Sequence, residues 1–385
     1  MILHRVRVVG LALMCVIAGG VMFAPGAGVD RPAPLAPVSV PRHPLLVAEP
    51  LDLKLAEQRE PTLRALDYSL QYLNTPRARA VYADSPYDLE TIRRSTAYLR
   101  HLVATAPDGR TLDAWLRQSF DWHRARGDNG RGQVLFTGYY EPIFRASLVP
   151  GGPYQHPIYA RPPNFGAWPR PHPSRAELTD GARLAGLELA WLADPFEAIL
   201  LQIQGSGRLR LPDGAVMTVG YAGHTDYPYR SIGAALIRDG HFEPGGVDLP
   251  GLRRFFDAHP ELLHRYALEN DRFVFFRNTH GRAAVGSLGV PVTGGHTVAT
   301  DKALFPPGAP AIVRVPDPTA PGEFLVRIVA DQDTGGAIRG PGRADLFLGT
   351  GAPAERVAGR LAHHGHLDYL IVRPTARLAS GTGSG

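Results

Sequence analysis

Thiols are almost missing from this chain, whose 385 residues include one cysteine, Cys15. Internal disulfides and paired-cysteine metal sites are thereby excluded. An HExxH pair and a GxSxG turn are also missing, as is a glycine-rich loop that opens a helix after a strand. Without them there is no support for a zincin, an esterase-type serine elbow, or a P-loop or Rossmann nucleotide site. No long basic run occurs, and the net charge of +5 is spread over 41 basic and 36 acidic residues. Nucleic acid is therefore not an expected partner. The one dense histidine stretch, His363 to His366, lacks zinc-ligand spacing and reads as a helix end turning through Gly365 into a strand. Neither a metal nor any other cofactor is expected.

Glycine and proline, 43 and 36 residues, make up about a fifth of the chain, above the usual share. That favours short strands and many turns, so a mainly β protein is expected. At the amino terminus His4, Arg5 and Arg7 precede an apolar run from Val8 to Ala24 and then "PGAG", the order of an export signal, with cleavage near Ala27. Cys15 lies inside that run behind Met14, a poor context for lipidation. Residues 1–28 are thus read as a signal, and residues 29–48 as a proline-spaced tether that stays extended.

Residues 51–126 hold three segments with apolar spacings of three and four, "LRALDYSLQYL", "DLETIRRSTAYLRHLV" and "LDAWLRQSFDWH", predicting three helices. Beyond "GDNGRG" the period changes. "QVLFTGYYEPIF", "QHPIYARP" and "AILLQIQGSGRLRLPDGAVMTVGYAG" read as strands, with "PDG" at Pro212 to Gly214 as a hairpin turn. Helices are predicted at "SIGAALIRDG", "DLPGLRRFFDAH" and "APAERVAGRLAHH". The last hundred residues otherwise carry short apolar runs broken by glycine and proline, which argues for a small closed barrel.

Chemistry falls to the aspartates. "DTGG" at Asp333 to Gly336 has the Asp-Thr-Gly of aspartic peptidases, but one copy would require a homodimer. Three segments, "VATDKALFPPG", "DTGGAIRG" and "RADLFLGTG", resemble the aspartate-bearing segments of the 3D domain. Upstream, "FTGYYEP", "LLQIQGSGRL" and "GYAGHTDYPYRSIG" resemble the segments that accompany it in the membrane-bound lytic murein transglycosylase A family, in the same order. The resemblance spans residues 51–374. It implies a double-psi β-barrel with N-terminal helices, assembled from residues 49–138 and 282–376. A second, barrel-like β domain would be inserted at 139–281, and 377–385 would form a tail. Glycan would lie where the two domains meet.

The resemblance also implies a peptidoglycan lytic exotransglycosylase, a lyase of the periplasm, associated with the outer membrane where it is anchored. Its ligand would be the glycan strand of peptidoglycan, with wall-synthesis proteins as possible partners and a monomer as the expected state. Ordinary glycosidases use two carboxylates. A lytic transglycosylase replaces the second with the sugar's own C6 hydroxyl, so one carboxyl acts first as acid and then as base. The family's catalytic aspartate falls on Asp345. Asp333 and Asp301 both fit a structural acid that bonds backbone amides at a turn; alternatively Asp333 would support Asp345, by steadying charge at C1 or tuning it, a role less expected of Asp301. Asp331 has no motif support. Glycan contacts are expected from Thr137, Tyr139, Tyr140, Gln204, Gly205, Ser206, Tyr229 and Arg230, which offer aromatic, amide and hydroxyl groups. Glu141 is the one further acid in these segments; facing Asp345 across a groove, it would make a two-carboxylate hydrolase. A non-catalytic wall-binding module is the alternative from another class.

Overall fold

The computed structural model describes residues 35–38 (as backbone), 51, 53–243 and 246–374. The expected signal, Cys15 and the tail at 377–385 lie outside these residues. Part of the tether does not: β1 (Leu35–Val38) pairs antiparallel with β2 (Phe120–Ala125).

Among the described residues four helices precede the first barrel strand, where three were predicted: α1 (Leu55–Leu73), α2 (Pro76–Ala83), α3 (Leu89–Thr105) and α4 (Gly109–Ser119). The missed one, α2, is started by Thr75, whose side chain accepts from the Ala78 amide, with Pro76 in the first turn. Asp88 and Asp108 cap α3 and α4 in the same way. Helix α4 stops before "FDWH", which was read as its last turn. Those residues enter β2 because Phe120 to Arg124 pair with Asp368 to Val372, and tertiary pairing overrides local periodicity.

Six strands close a barrel: β3 (Val134–Glu141), β10 (Thr297–Ala299), β11 (Pro310–Pro316), β12 (Phe324–Asp333), β13 (Arg343–Thr350) and β14 (Ala362–Val372). Around the wall the order is β3, β13, β10, β12, β11, β14 and back to β3. The β3–β13 and β10–β12 junctions are parallel and the other four antiparallel. The closed six-stranded barrel agrees with the fold class that the resemblance implied. Alternation along the strands sorts two apolar sets. Val298, Ala311, Val313, Val329 and Leu346 fill the interior, while Ile312, Val326, Ile328 and Leu370 face outward against α1, α3 and α4.

Closing the barrel corrects one further reading. His363 and His364 pair with Phe136 and Leu135 inside β14, so they do not end a helix. Helix α10 (Gly351–Ala358) stops before them.

The remaining strands, β4 (Ile143–Ser147), β5 (His156–Tyr159), β6 (Glu188–Leu192), β7 (Ser206–Arg210), β8 (Val216–His224) and β9 (Val274–Asn278), form a second sheet in the order β5, β6, β4, β7, β8, β9. A bridge between Ala160 and Phe276 brings its two edges together, giving it a barrel-like curl. The β7–β8 hairpin turns at Gly214, φ +86°, as "PDG" predicted. "AILLQIQ", however, is not a strand. It belongs to α6 (Pro195–Gln204), started by Asp194, which accepts from the Phe196 and Glu197 amides, and stopped by Gly205 at φ +77°. Helices α5 (Arg175–Thr179), α7 (Ile232–Arg238), α8 (Leu249–Ala258) and α9 (Pro260–Leu268) complete this half.

The two sheets share a core. Strand β3 runs into β4 through Pro142, and Tyr140 of β3 with Ala354 and Ala358 of α10 packs among Phe144, Leu201, Leu209 and Leu249. Gly138 permits that contact: a Cβ there would lie 2.7 Å from the Ala358 Cα. Among the described residues no helix is long and apolar enough to cross a membrane.

Candidate active site

One rung of the barrel carries the two motif aspartates. Asp345 on β13 lies opposite Thr137 of β3 on one side and Ala299 of β10 on the other, and Ala299 in turn lies opposite Asp333 of β12. Partners on a rung share a face, so both carboxylates project to the same side, their backbones two strand spacings or about 9–10 Å apart. That side is the outer face of the wall, since the neighbours Leu346, Val298 and Phe136 fill the interior.

Strict alternation would not put Asp333 there together with an inward Asp331. The register between β10 and β12 slips between Val298, opposite Asp331, and Ala299, opposite Asp333. Such a bulge re-aims a side chain, and here it turns Asp331 into the barrel and Asp333 out onto the rung. Outside, Tyr139, Ala284, Val292, Ala299 and Phe347 pack together, giving the carboxylates an apolar surround.

The four aspartates have distinct surroundings. Asp345 is 1% exposed, and its Oδ1 accepts from the Thr137 hydroxyl at 2.7 Å. Asp333 is fully buried. It accepts from the Tyr139 hydroxyl and from the Ser287 and Thr334 amides, each at 2.8 Å. Burial pushes its carboxyl up to about 6, against the pull of those donors. Asp331 sits inside the barrel, paired with Lys302 and accepting from Thr300 and Tyr369 at 2.7 Å. Burial drives Asp331 and Lys302 toward their neutral forms, and their mutual attraction opposes it. Asp301 accepts from the Gly340 and Ala303 amides, bonding the backbone of its own turn and of the loop that follows Asp333.

Beside the rung a cleft of about 480 Å³ opens between β8 and β9 on one side and residues 282–289 on the other. Its wall touches the aspartate chemistry through the backbone: a Cβ on Gly286 would lie 3.3 Å from the Asp333 Cγ, and the next amide, Ser287, holds that carboxylate. The hydroxyls of Ser206 and Ser287 line the cleft, are buried, and have no protein partner. They supply donors and acceptors for a polar ligand.

The residues expected to contact glycan have diverged in position. Gly205 and Ser206 line the cleft, whereas Thr137 and Tyr139 hold the two rung aspartates. Tyr140 points the other way, into the shared core, and its amide donates to Gln204 Oε1. Tyr229 rests against Gly336 in the loop after Asp333. Arg230 is outward, 3.7 Å from Asp271. Glu141 lines the cleft, but its Oε2 accepts from Arg208 at 2.9 Å and Thr350 at 2.7 Å. It lies four residues along β3 from Thr137, about 13 Å of strand, beyond the ~6.5–9.5 Å of an inverting carboxyl pair. Among the described residues no three His, Cys, Asp or Glu side chains group as metal ligands.

Sequence reasoning missed the segment 282–289, which has no titratable motif, and the Lys302–Asp331 pair. Spacing held a signal for Asp331, because it and Asp333 are two apart on one predicted strand; the slip that separates their faces had none.

The fold and site define a closed mixed barrel with two buried carboxylates on its outer rung and a polar cleft, shared with the second sheet, whose wall reaches one of them, Asp333. Comparison with known proteins gives the family. Residues 135–277 match the MltA specific insert domain and residues 296–371 the 3D domain. The membrane-bound lytic murein transglycosylase A of Escherichia coli is 33% identical over 271 residues, 69% of this chain and 71% of that protein. Its namesake in Vibrio cholerae is 30% identical over 349 residues, 84% and 93% of the two chains. Among solved structures, E. coli MltA with bound chitohexaose superposes with a TM-score of 0.70 at 27% identity, over 89% of this chain and 95% of that one. The lytic transglycosylase LtgG of Burkholderia pseudomallei gives 0.54 at 31%, over 95% and 99%. The chain belongs to the membrane-bound lytic murein transglycosylase A family.

Proposed function

We propose that the chain is a periplasmic lytic transglycosylase that cleaves the MurNAc-β-1,4-GlcNAc bond of peptidoglycan and leaves 1,6-anhydro-MurNAc ends. The observation that carries this reading is the outer rung, where Asp345 is held by Thr137 and stands two strands from Asp333, whose carboxylate accepts from the Ser287 amide in the cleft wall. Asp345 donates its proton to the glycosidic oxygen as the C1–O bond breaks. The C6 hydroxyl then closes onto C1 and returns a proton to the same carboxylate, so no water enters. Holding that hydroxyl beside C1 gives the advantage of an intramolecular reaction, on the order of 7–11 kcal/mol in well-oriented cases.

The first step needs a carboxyl that is protonated near neutral pH, and burial disfavours the charged form; Asp345 is almost fully buried. Asp333 supports the reaction from across Ala299, where its charge opposes the positive charge that develops at C1. We further propose that residues 49–138 with 282–376 act as the catalytic unit, and 139–281 as the insert that completes the cleft. Export by the N-terminal signal would bring the chain to its substrate.

Mass analysis of products released from wall sacculi tests the reading. Wild type should release muropeptides with anhydro ends, one water lighter than hydrolysis products. Asp345→Asn should bind sacculi yet release at least 10²-fold less, the low end for a lost general acid. Release by Asp345→Asn at the wild-type rate, or reducing ends from wild type, refutes it.

A further inference from the structure

The cleft is more basic than a neutral sugar requires. Arg77, Arg161, Arg277 and Arg282 line it, all exposed and none in an ion pair among the described residues. The single acid in the lining is Glu141, already paired with Arg208. His224, the remaining titratable cation former there, is held to about 4 by burial and then by the Arg272 guanidinium, so it is neutral near pH 7.

Three of these arginines are also held in place. Arg161 lies over the Phe165 ring at 4.9 Å, its stem across Gly223. Arg277 donates to the Tyr221 carbonyl at 2.8 Å and Arg77 to the Ser287 carbonyl at 3.0 Å. A backbone carbonyl occupies one donor of a five-donor fork and does not neutralise it. Fixed guanidinium groups that remain uncompensated repel one another and attract anions, and their planar geometry matches a carboxylate.

We propose that these arginines read carboxylates carried by the muramic residues of the strand, making the cleft selective for anionic glycan over a neutral oligomer of the same length. This rests on the peptidoglycan reading above and adds to it the charge of the preferred substrate. In such a strand a carboxylate comes either from a lactyl group freed of its peptide or from the peptide stem itself.

Calorimetric titration of full-length Asp345→Asn, which avoids turnover, separates the possibilities. The ligands are chitohexaose, a GlcNAc-MurNAc hexamer with free lactyl groups, and the same hexamer bearing stems. At low salt at least one charged hexamer should bind about tenfold more tightly than chitohexaose, as expected for one or two charge-assisted hydrogen bonds. Raising the salt should narrow that gap. Tighter binding of the lactyl hexamer assigns the contact to the lactyl group; tighter binding of the stem-bearing hexamer alone assigns it to the peptide.

In the Arg277→Gln/Arg282→Gln background the preference should fall to about twofold or less while chitohexaose affinity is retained, and Arg277→Lys/Arg282→Lys should keep part of it. Equal affinity for all three ligands, or an equal loss for all three in the glutamine variant, overturns the proposal. Anhydro products from wild type together with equal affinities would leave the enzymatic reading standing and remove this one. A charge preference with wild-type release by Asp345→Asn would do the reverse.

Discussion

At the scale of single residues, Asp333 is where burial and bonding compete most openly. Three donors favour its charged form, yet loss of water wins and its carboxyl rises from 3.8 to about 6. The folded protein therefore holds this proton over a range in which the unfolded chain releases it. Stability from this group is fully present below about pH 3.8 and is lost as pH rises through about 6, a change on the order of 3 kcal/mol. Asp333→Asn preserves an acceptor for the Ser287 and Thr334 amides but cannot titrate. Thermal melts of the two proteins between pH 4 and 7 should show wild type losing stability relative to the variant as pH rises, with little further change above that. Parallel curves would mean that the carboxyl is not shifted. The Asp331–Lys302 pair poses a different problem inside the barrel. Asp331→Ala would strand a buried ammonium and the Thr300 and Tyr369 hydroxyls, at a cost of about 3–5 kcal/mol, read as a lower urea midpoint.

At the scale of elements, the contact between β3 and α10 sets the rung. Gly138 stands between Thr137 and Tyr139, which hold the two aspartates, and the helix backbone lies against it. Gly138→Ala would place a Cβ 2.6 Å from Leu348 Cδ1 and 2.7 Å from the Ala358 Cα, so α10 must shift. The expected loss is about 1–3 kcal/mol, seen as a lower Tm, and sacculus release should fall with it. A variant with wild-type melting and release would show that the approach is looser than this. The elements also show how far the sequence can be read. Periodicity found α1, α3, most barrel strands and the β7–β8 turn, because each has its own apolar stripe or turn residues. "AILLQIQ" misled because a buried helix without a polar face has no period that separates it from a strand; Asp194, Pro195 and Gly205 mark its ends nonetheless. "FDWH" and "HHGH" became strand through partners about 250 residues away in one case and on β3 in the other, which no local window contains. The aspartates were visible by motif, while the slip at Ala299 that aims Asp333 is a property of the β10–β12 pairing.

For the molecule as a whole, the question is whether two sheets amount to two folding units. The connections argue against it. Tyr140, Ala354 and Ala358 from the barrel side belong to the same apolar cluster as Phe144, Leu201 and Leu209 of the second sheet. Glu141 ties β3 to Arg208 of β7 and to Thr350 at the end of β13, and it is 3% exposed. Removing one half would expose the apolar faces of α10 and Tyr140 and leave that carboxylate without its arginine. A loose interface between domains permits separate melting; a shared core, with an ion pair whose acid is buried and whose arginine is part-exposed, couples the halves. Urea unfolding followed by tryptophan fluorescence and by far-ultraviolet circular dichroism should therefore give coincident single transitions. Glu141→Ala leaves Arg208 without its buried acid and should split or broaden them, since the loss falls on the seam rather than inside either sheet. Two separate transitions in wild type would mean that the cleft lies between independent bodies, and the fixed distance from the arginine-lined wall to the rung would no longer hold.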